Sequence, residues 1–268
     1  MTPAASARYE VTFSEAARRE HQEDDVIHPE SAGLLDLTAF VSCYNEAAFI
    51  VRTLDDVCEA LGRLELRFEI VVIDDCSSDG SAELVRRYIQ AHPDIRIVLR
   101  RNLVNKGLAQ NYIDGAFIGK GRYYKLFCGD NTEPVESIVE ICRHIGEADM
   151  IIPNYISVEG KSRLRQWLSR AYTAVVNVVS GNRMTYYNGL PLHLRYNVMR
   201  WHPNTRGFGF QADIVCMLLD SGATHLEVSV PAMNRAESRA LTVKNFLSVG
   251  HTLADIAIRR IASWFYGR

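Results

Sequence analysis

Three acidic positions along this chain follow short apolar runs: Glu46 in Tyr44-Asn45-Glu46 after residues 37–43, Asp74-Asp75 closing 68–75, and Asp130 after 123–127. Apolar runs of that length read as buried strands, so three strands finish in carboxylates. Open α/β sheets bind ligands outside the carboxyl ends of their strands. Acidic side chains gathered there suit a divalent metal with a diphosphate, or sugar hydroxyls. The expectation is a nucleotide-sugar pocket.

The elements that must carry these residues alternate. Strands are predicted near 37–43, 68–74, 95–99, 123–127 and 149–152, and the segments 47–61, 80–91, 107–119 and 134–147 have helical spacing. That βαβ rhythm predicts a mixed, mainly parallel sheet flanked by helices, with right-handed crossovers. Beyond Pro153 the rhythm changes: Arg163 to Ser180 reads as a basic, aromatic helix stopped by Gly181, and 182–212 reads as a long irregular stretch. A helix at about 211–220, a strand at 224–230 and an amphipathic C-terminal helix over 241–268 complete the chain. Residues 1–33 lack apolar periodicity and are expected to form a flexible arm, with a short helix at Phe13 to Arg19. The catalytic unit is expected over 34–240.

With 268 residues and 47% hydrophobic composition, the chain can bury a sizeable core. A net charge of −2 offers no global attraction to nucleic acid. The six cysteines form no CxxC pair, which argues against zinc and disulfides and for a reducing, cytoplasmic setting. No signal peptide is evident, and no run reaches the ~18 apolar residues of a transmembrane helix.

Each candidate has a structural reading beside the chemical one. Tyr44 and Glu46 stand where a dinucleotide-binding fold would need glycines, and an aromatic with a carboxylate suits base stacking and ribose contact; Asn45 or Glu46 would also cap the next helix. One of Asp74 and Asp75 should face the pocket, whereas Ser77, Ser78 and Asp79 fit the turn and helix start. Asn105-Lys106-Gly107 opens a helix, where backbone N–H groups and a lysine meet a phosphate as readily as they make an ordinary turn. Asp130 is the sharpest candidate for Mg²⁺ or Mn²⁺, which takes one or two carboxylates plus substrate phosphates. The eight histidines are scattered and are set aside as structural.

The motifs SCYNEAAFI, VVIDDCSSDGS, NKGLAQNYIDG, CGDNTEP, GFGFQAD and VPAMNR, in that order over about residues 37–240, resemble a family 2 glycosyltransferase with the GT-A fold, closest to the dolichyl-phosphate mannose synthase-like branch. That resemblance implies an inverting transfer from a nucleoside-diphosphate sugar. It assigns nucleoside contacts to Tyr44, Glu46 and Asp74 or Asp75, diphosphate and metal contacts to Asp130, Lys106 and Arg235, and acceptor positioning to Asp213 and Gln211. The chain departs from the family's Asp-x-Asp at Cys128, and Thr132 replaces a common glutamine. A thiol is a poor magnesium ligand, so a second carboxylate would have to come from Asp75 or Glu133.

The resemblance implies a polyprenyl phosphate acceptor, with glycan or small-molecule hydroxyls as alternatives. Lys161, Arg163, Arg165 and Arg170, interleaved with Trp167 and Tyr172, suit either a solvated helix face or peripheral contact with an anionic membrane. The C-terminal helix with Trp264, Phe265 and Tyr266 suits core packing, a second copy in a homo-oligomer, or the same membrane. Rival readings are a catalytically silent sugar-nucleotide binder, favoured by Cys128, and a sugar nucleotidyltransferase, whose glycine-rich basic signature is missing.

Overall fold

A computed structural model describes residues 25–27, 35–157, 163–202, 209–232 and 243–266. In chain order the strands are β1 (Asp25–Ile27), β2 (Leu37–Cys43), β3 (Phe68–Asp74), β4 (Ile97–Arg101), β5 (Tyr123–Cys128), β6 (Met150–Ser157), β7 (Leu192–Leu194) and β8 (His225–Ala232). The helices are α1 (Ile50–Gly62), α2 (Ser81–Ala91), α3 (Leu108–Ile118), α4 (Val135–Cys142), α5 (Arg163–Ser180), α6 (Arg195–Met199), α7 (Phe210–Asp220) and α8 (Val243–Tyr266).

The strands form one sheet in the order β1-β4-β3-β2-β5-β7-β6-β8. β4, β3, β2 and β5 run parallel, β7 lies antiparallel between β5 and β6, and β8 is parallel to β6. Strands such as FEIVVID are apolar throughout because both faces are covered. On one face Ile50, Leu54, Val57 and Leu61 of α1 pack with Val85 and Ile89 of α2 and Ile138 and Ile141 of α4. On the other, Tyr112 of α3, Trp201 and Phe210 pack with Val71, Ile73, Met150 and Ile152.

The chain leaves β2 toward β3 on one side and later returns to β5 on the other. The strand order therefore reverses between β2 and β5, and a crevice opens above their carboxyl ends. Cys43 of β2 pairs with Asp74, and Ser42 with Cys128, so the three acidic strand ends are neighbours at that edge.

Two features depart from the sequence reading. Asp25–Ile27, inside the expected arm, form an edge strand antiparallel to β4; the Phe13–Arg19 helix lies outside the described residues. The stretch 182–212 contains β7 and α6. β7 is only three residues long, too short for periodicity to signal, and it exists because β5 and β6 supply pairing partners on both sides. Gly181 does end α5: its φ of 74° is open to glycine, and a Cβ there would lie 2.8 Å from the Arg260 guanidinium of α8.

Candidate active site

The loops after β2 and β3 are laced together by side-chain to backbone bonds. Ser77 Oγ accepts from the Asn45 N–H at 2.9 Å, Ser81 Oγ from the Glu46 N–H at 3.0 Å, and Asp79 Oδ2 from the Ala47 N–H at 2.9 Å, while Asn45 Oδ1 accepts from the Ser78 N–H. Asp79 is thus a structural tie. Asn45 takes φ 57°, a conformation asparagine tolerates better than most residues. The result holds Tyr44, half of whose surface is exposed, at the mouth of the crevice.

Asp74 has no exposed surface and lies on the sheet face that carries Cys43, with Arg101 Nε 3.4 Å from its Oδ2. Burial, and then the Asp74 charge, push the Cys43 thiol up to about 12. Asp75 is also buried, but it turns toward the next loop. Its Oδ1 accepts from Asn102 Nδ2 and the Lys106 N–H, both at 2.8 Å, and its Oδ2 accepts from the Gly107 N–H at 2.9 Å. Asn102 Nδ2 also donates to Asn111 Oδ1 of α3. The backbone amides at the start of α3, where the sequence suggests a phosphate, are therefore held by a carboxylate of the chain itself. The Lys106 ammonium points along α3 to Asp114 at 3.8 Å. Asn102 and Asn111 escape sequence reasoning because a lone asparagine there signals only a turn or a cap.

Asp130 sits on the turn that leaves β5, beside the strand-order reversal. Gly129 precedes it for a steric reason: a Cβ there would meet the Ser42 carbonyl oxygen at 2.5 Å, and Glu46 Cγ and Ile50 Cδ1 at 3.3 Å. The Asp130 turn therefore rests directly on the Glu46 loop. Thr53 of α1 donates to the Gly129 carbonyl at 3.0 Å, Asn131 Nδ2 donates to Asp56 at 2.7 Å, and Thr132 Oγ1 donates to Asp130 Oδ1 at 3.0 Å. Gly129→Ala should separate the two loops at a cost of roughly 1–3 kcal/mol. It should also weaken nucleoside-diphosphate binding, which calorimetry beside thermal unfolding would measure; unchanged affinity would count against the loop contact.

Cys128 cannot replace a carboxylate here. Its thiol is pushed up to about 12, first by burial and then by the charges of Asp130 and Glu133, so it remains protonated at neutral pH. Glu133 is occupied elsewhere: its Oε1 faces Lys125 and Tyr155. That leaves Asp130, with Glu46 on the adjoining loop, as a carboxylate at the crevice edge that could hold a divalent ion, and among the described residues no group of three or more His, Cys, Asp or Glu could hold one. One carboxylate completed by diphosphate oxygens is within the usual magnesium and manganese pattern.

A sequence model of "Glycosyl transferase family 2" matches residues 38–211, well over half of the chain. The chain belongs to glycosyl transferase family 2. Its curated relatives include a dolichyl-phosphate beta-glucosyltransferase of Dictyostelium discoideum, 33% identical over 101 residues, covering 36% of this chain and 31% of that protein. Another, dolichyl-phosphate beta-glucosyltransferase ALG5C of Trichomonas vaginalis, is 28% identical over 132 residues, covering 47% and 39%. The matched region spans about a third of the length of these relatives. Among solved structures, the mannosyltransferase PcManGT of Pyrobaculum calidifontis, in complex with GDP-Man and Mn²⁺, superposes with a TM-score of 0.63 at 19% identity, covering 91% of this chain and 70% of that one. The fold is the GT-A fold.

Two further family 2 candidates lie on α7. Gln211 and Asp213 occupy the first turn of α7 and are both buried. Asp213 Oδ2 accepts from Trp201 Nε1 at 2.8 Å, and Oδ1 lies 2.6 Å from Arg259 Nη1 of α8. The Gln211 amide has no hydrogen-bond partner among the described residues. Arg235 and Lys161 lie outside the described residues, as do the side chains of Arg163 and Arg165. The described part of the basic helix exposes Trp167, Arg170, Val175 and Val178, and α8 beside it exposes Ile258, Ile261, Trp264 and Phe265. No helix among the described residues is long and apolar enough to cross a membrane.

Proposed function

We propose that the chain is the catalytic domain of an inverting glycosyltransferase that moves a sugar from a nucleoside-diphosphate sugar to a polyprenyl phosphate. The observation that carries the donor half is the contact of the Asp130 turn with the Glu46 loop at the strand-order reversal. Tyr44 would stack on the base, Glu46 would meet the ribose, and Asp130 would hold Mg²⁺ or Mn²⁺ against the diphosphate. When bound, that ion supplies Lewis-acid neutralisation of the leaving group. The acceptor oxygen attacks the anomeric carbon on the face opposite the diphosphate. As the C1–O bond breaks, its electron pair leaves with the diphosphate oxygen and the configuration inverts.

The acceptor half rests on Asp213. A carboxylate held by Trp201 and Arg259 is poorly placed to take a proton. A phosphate oxygen is already an anion at neutral pH and needs no base, so a phosphate acceptor suits this site better than a hydroxyl. The apolar residues exposed on α5 and α8, with the exposed Arg170 and Arg260, fit a peripheral contact with anionic lipid at which such an acceptor would be met.

Transfer of label from UDP- or GDP-sugars to a polyprenyl phosphate, against glycan acceptors, tests the reading. Failure of every nucleoside diphosphate, with manganese, to bind the protein would refute the donor half. Binding without turnover on any acceptor would favour the silent binder that Cys128 suggests. Flotation with phosphatidylserine vesicles tests the lipid contact: Trp264→Ser with Phe265→Ser should cut vesicle binding by at least about tenfold, since each ring contributes roughly 1.5–3 kcal/mol when buried. Equal flotation of variant and wild type would remove this face from the membrane contact.

A further inference from the structure

Behind the Asp130 turn lies a charge that the proposed reaction does not use. Lys125, in the middle of β5, has no exposed surface. Its Nζ lies 3.0 Å from Glu133 Oε1, donates to the Leu190 carbonyl at 3.0 Å, and sits 4.7 Å from the centroid of the Phe127 ring. The Tyr155 hydroxyl of β6 donates to the same Glu133 oxygen at 2.8 Å. Glu133 is 8% exposed; its second oxygen has no hydrogen-bond partner among the described residues, and the side chain lines a water-sized cavity with Thr53, Asp56, Cys128 and Asn131.

Burying a lysine in a strand and a glutamate in the segment that follows it is an expensive way to gain stability. Apolar residues of the same volume usually do as well or better, so stability alone does not account for the pair, and a positional role does. The connections supply that role. Lys125 joins β5 to the far end of the Gly129–Glu133 segment, to the loop before β7, and through Tyr155 to β6. The near end of the same segment is held by Thr53 on the Gly129 carbonyl.

We propose that Lys125 and Glu133 are positioning residues for Asp130: a buried charged strut that fixes the distal end of its turn, so that the carboxylate is presented to the donor diphosphate and its metal. The proposal rests on the donor reading above. It requires that breaking the strut weaken the metal-dependent part of nucleotide binding and leave the metal-independent part intact.

Lys125→Met alone strands a buried carboxylate and is expected to unfold easily, so the test uses Lys125→Met with Glu133→Gln, which removes both charges, and Glu133→Gln alone, which keeps an acceptor for Lys125 and Tyr155. Calorimetry measures the affinity for whichever of UDP, GDP, CDP and dTDP the wild type binds, with and without Mn²⁺, beside thermal unfolding. The double variant should recover most of the melting temperature lost by Lys125→Met. Its Mn²⁺-dependent gain in affinity should nevertheless fall roughly 10–100-fold, as for other residues that orient a metal ligand, while metal-free affinity stays within about twofold. Glu133→Gln should fall between the double variant and wild type. A folded double variant, or a folded Glu133→Gln, with the wild-type Mn²⁺ gain would overturn the strut. A wild type that binds no nucleoside diphosphate would instead refute the donor reading beneath it.

Discussion

Asp130→Ala should lower the rate of sugar transfer by roughly 10²–10³-fold, the usual effect of removing one group that stabilises charge developing on a leaving oxygen. The expectation is this large because the neighbouring side chains cannot substitute. The Cys128 thiol stays protonated, Glu133 is buried with its Oε1 against Lys125 and Tyr155, and Asp75 is committed to the Lys106–Gly107 amides. A metal held by Asp130 and diphosphate oxygens loses its protein anchor when that carboxylate goes. Initial rates at saturating donor, with manganese from micromolar to millimolar, are the measurement. The variant should keep its fold, since Asp130 is only partly buried. Transfer within a factor of three of wild type would remove Asp130 from the mechanism.

A second large effect is expected on stability. Asp75→Asn puts an amino group where the carboxylate now receives N–H bonds from Lys106, Gly107 and Asn102. At least one buried donor then faces another donor, and each unsatisfied buried group costs about 1–3 kcal/mol. A loss of about 2–4 kcal/mol should lower the melting temperature by roughly 5–15 °C in a chain of this size. Differential scanning calorimetry would measure it. Nucleotide affinity should fall as well, because the loop that opens α3 adjoins the Tyr44 loop through Asp75 and Cys43. A variant that melts within about 1 °C of wild type would mean that Asp75 holds no loop and serves the ligand directly.

These two carboxylates illustrate what residue types alone convey. The three acidic strand ends were legible because β2, β3 and β5 are apolar on both faces and stop abruptly in polar residues. That Asp75 would fold back on its own chain was not legible, since its partners Asn102, Lys106 and Gly107 lie 27 to 32 positions away. The same holds for Asp213, whose partner Arg259 is 46 residues on, in a different helix. Lys125 left a faint signal, one charge inside YYKLFC, but a half-exposed edge strand would carry the same pattern. Only the coverage of both faces of β5 makes that lysine buried.

By itself the sequence determined the βαβ order, the glycine that ends α5 and the carboxylates at the strand ends, because periodicity, turn chemistry and burial act over a few neighbouring residues. Tertiary structure alone decided which carboxylates remain at the crevice and which are spent on loops and helices. It also supplied β1, β7 and the Lys125–Glu133 pair. Each of these depends on partners that chain closure brings together from far apart, and local propensity carries no record of them.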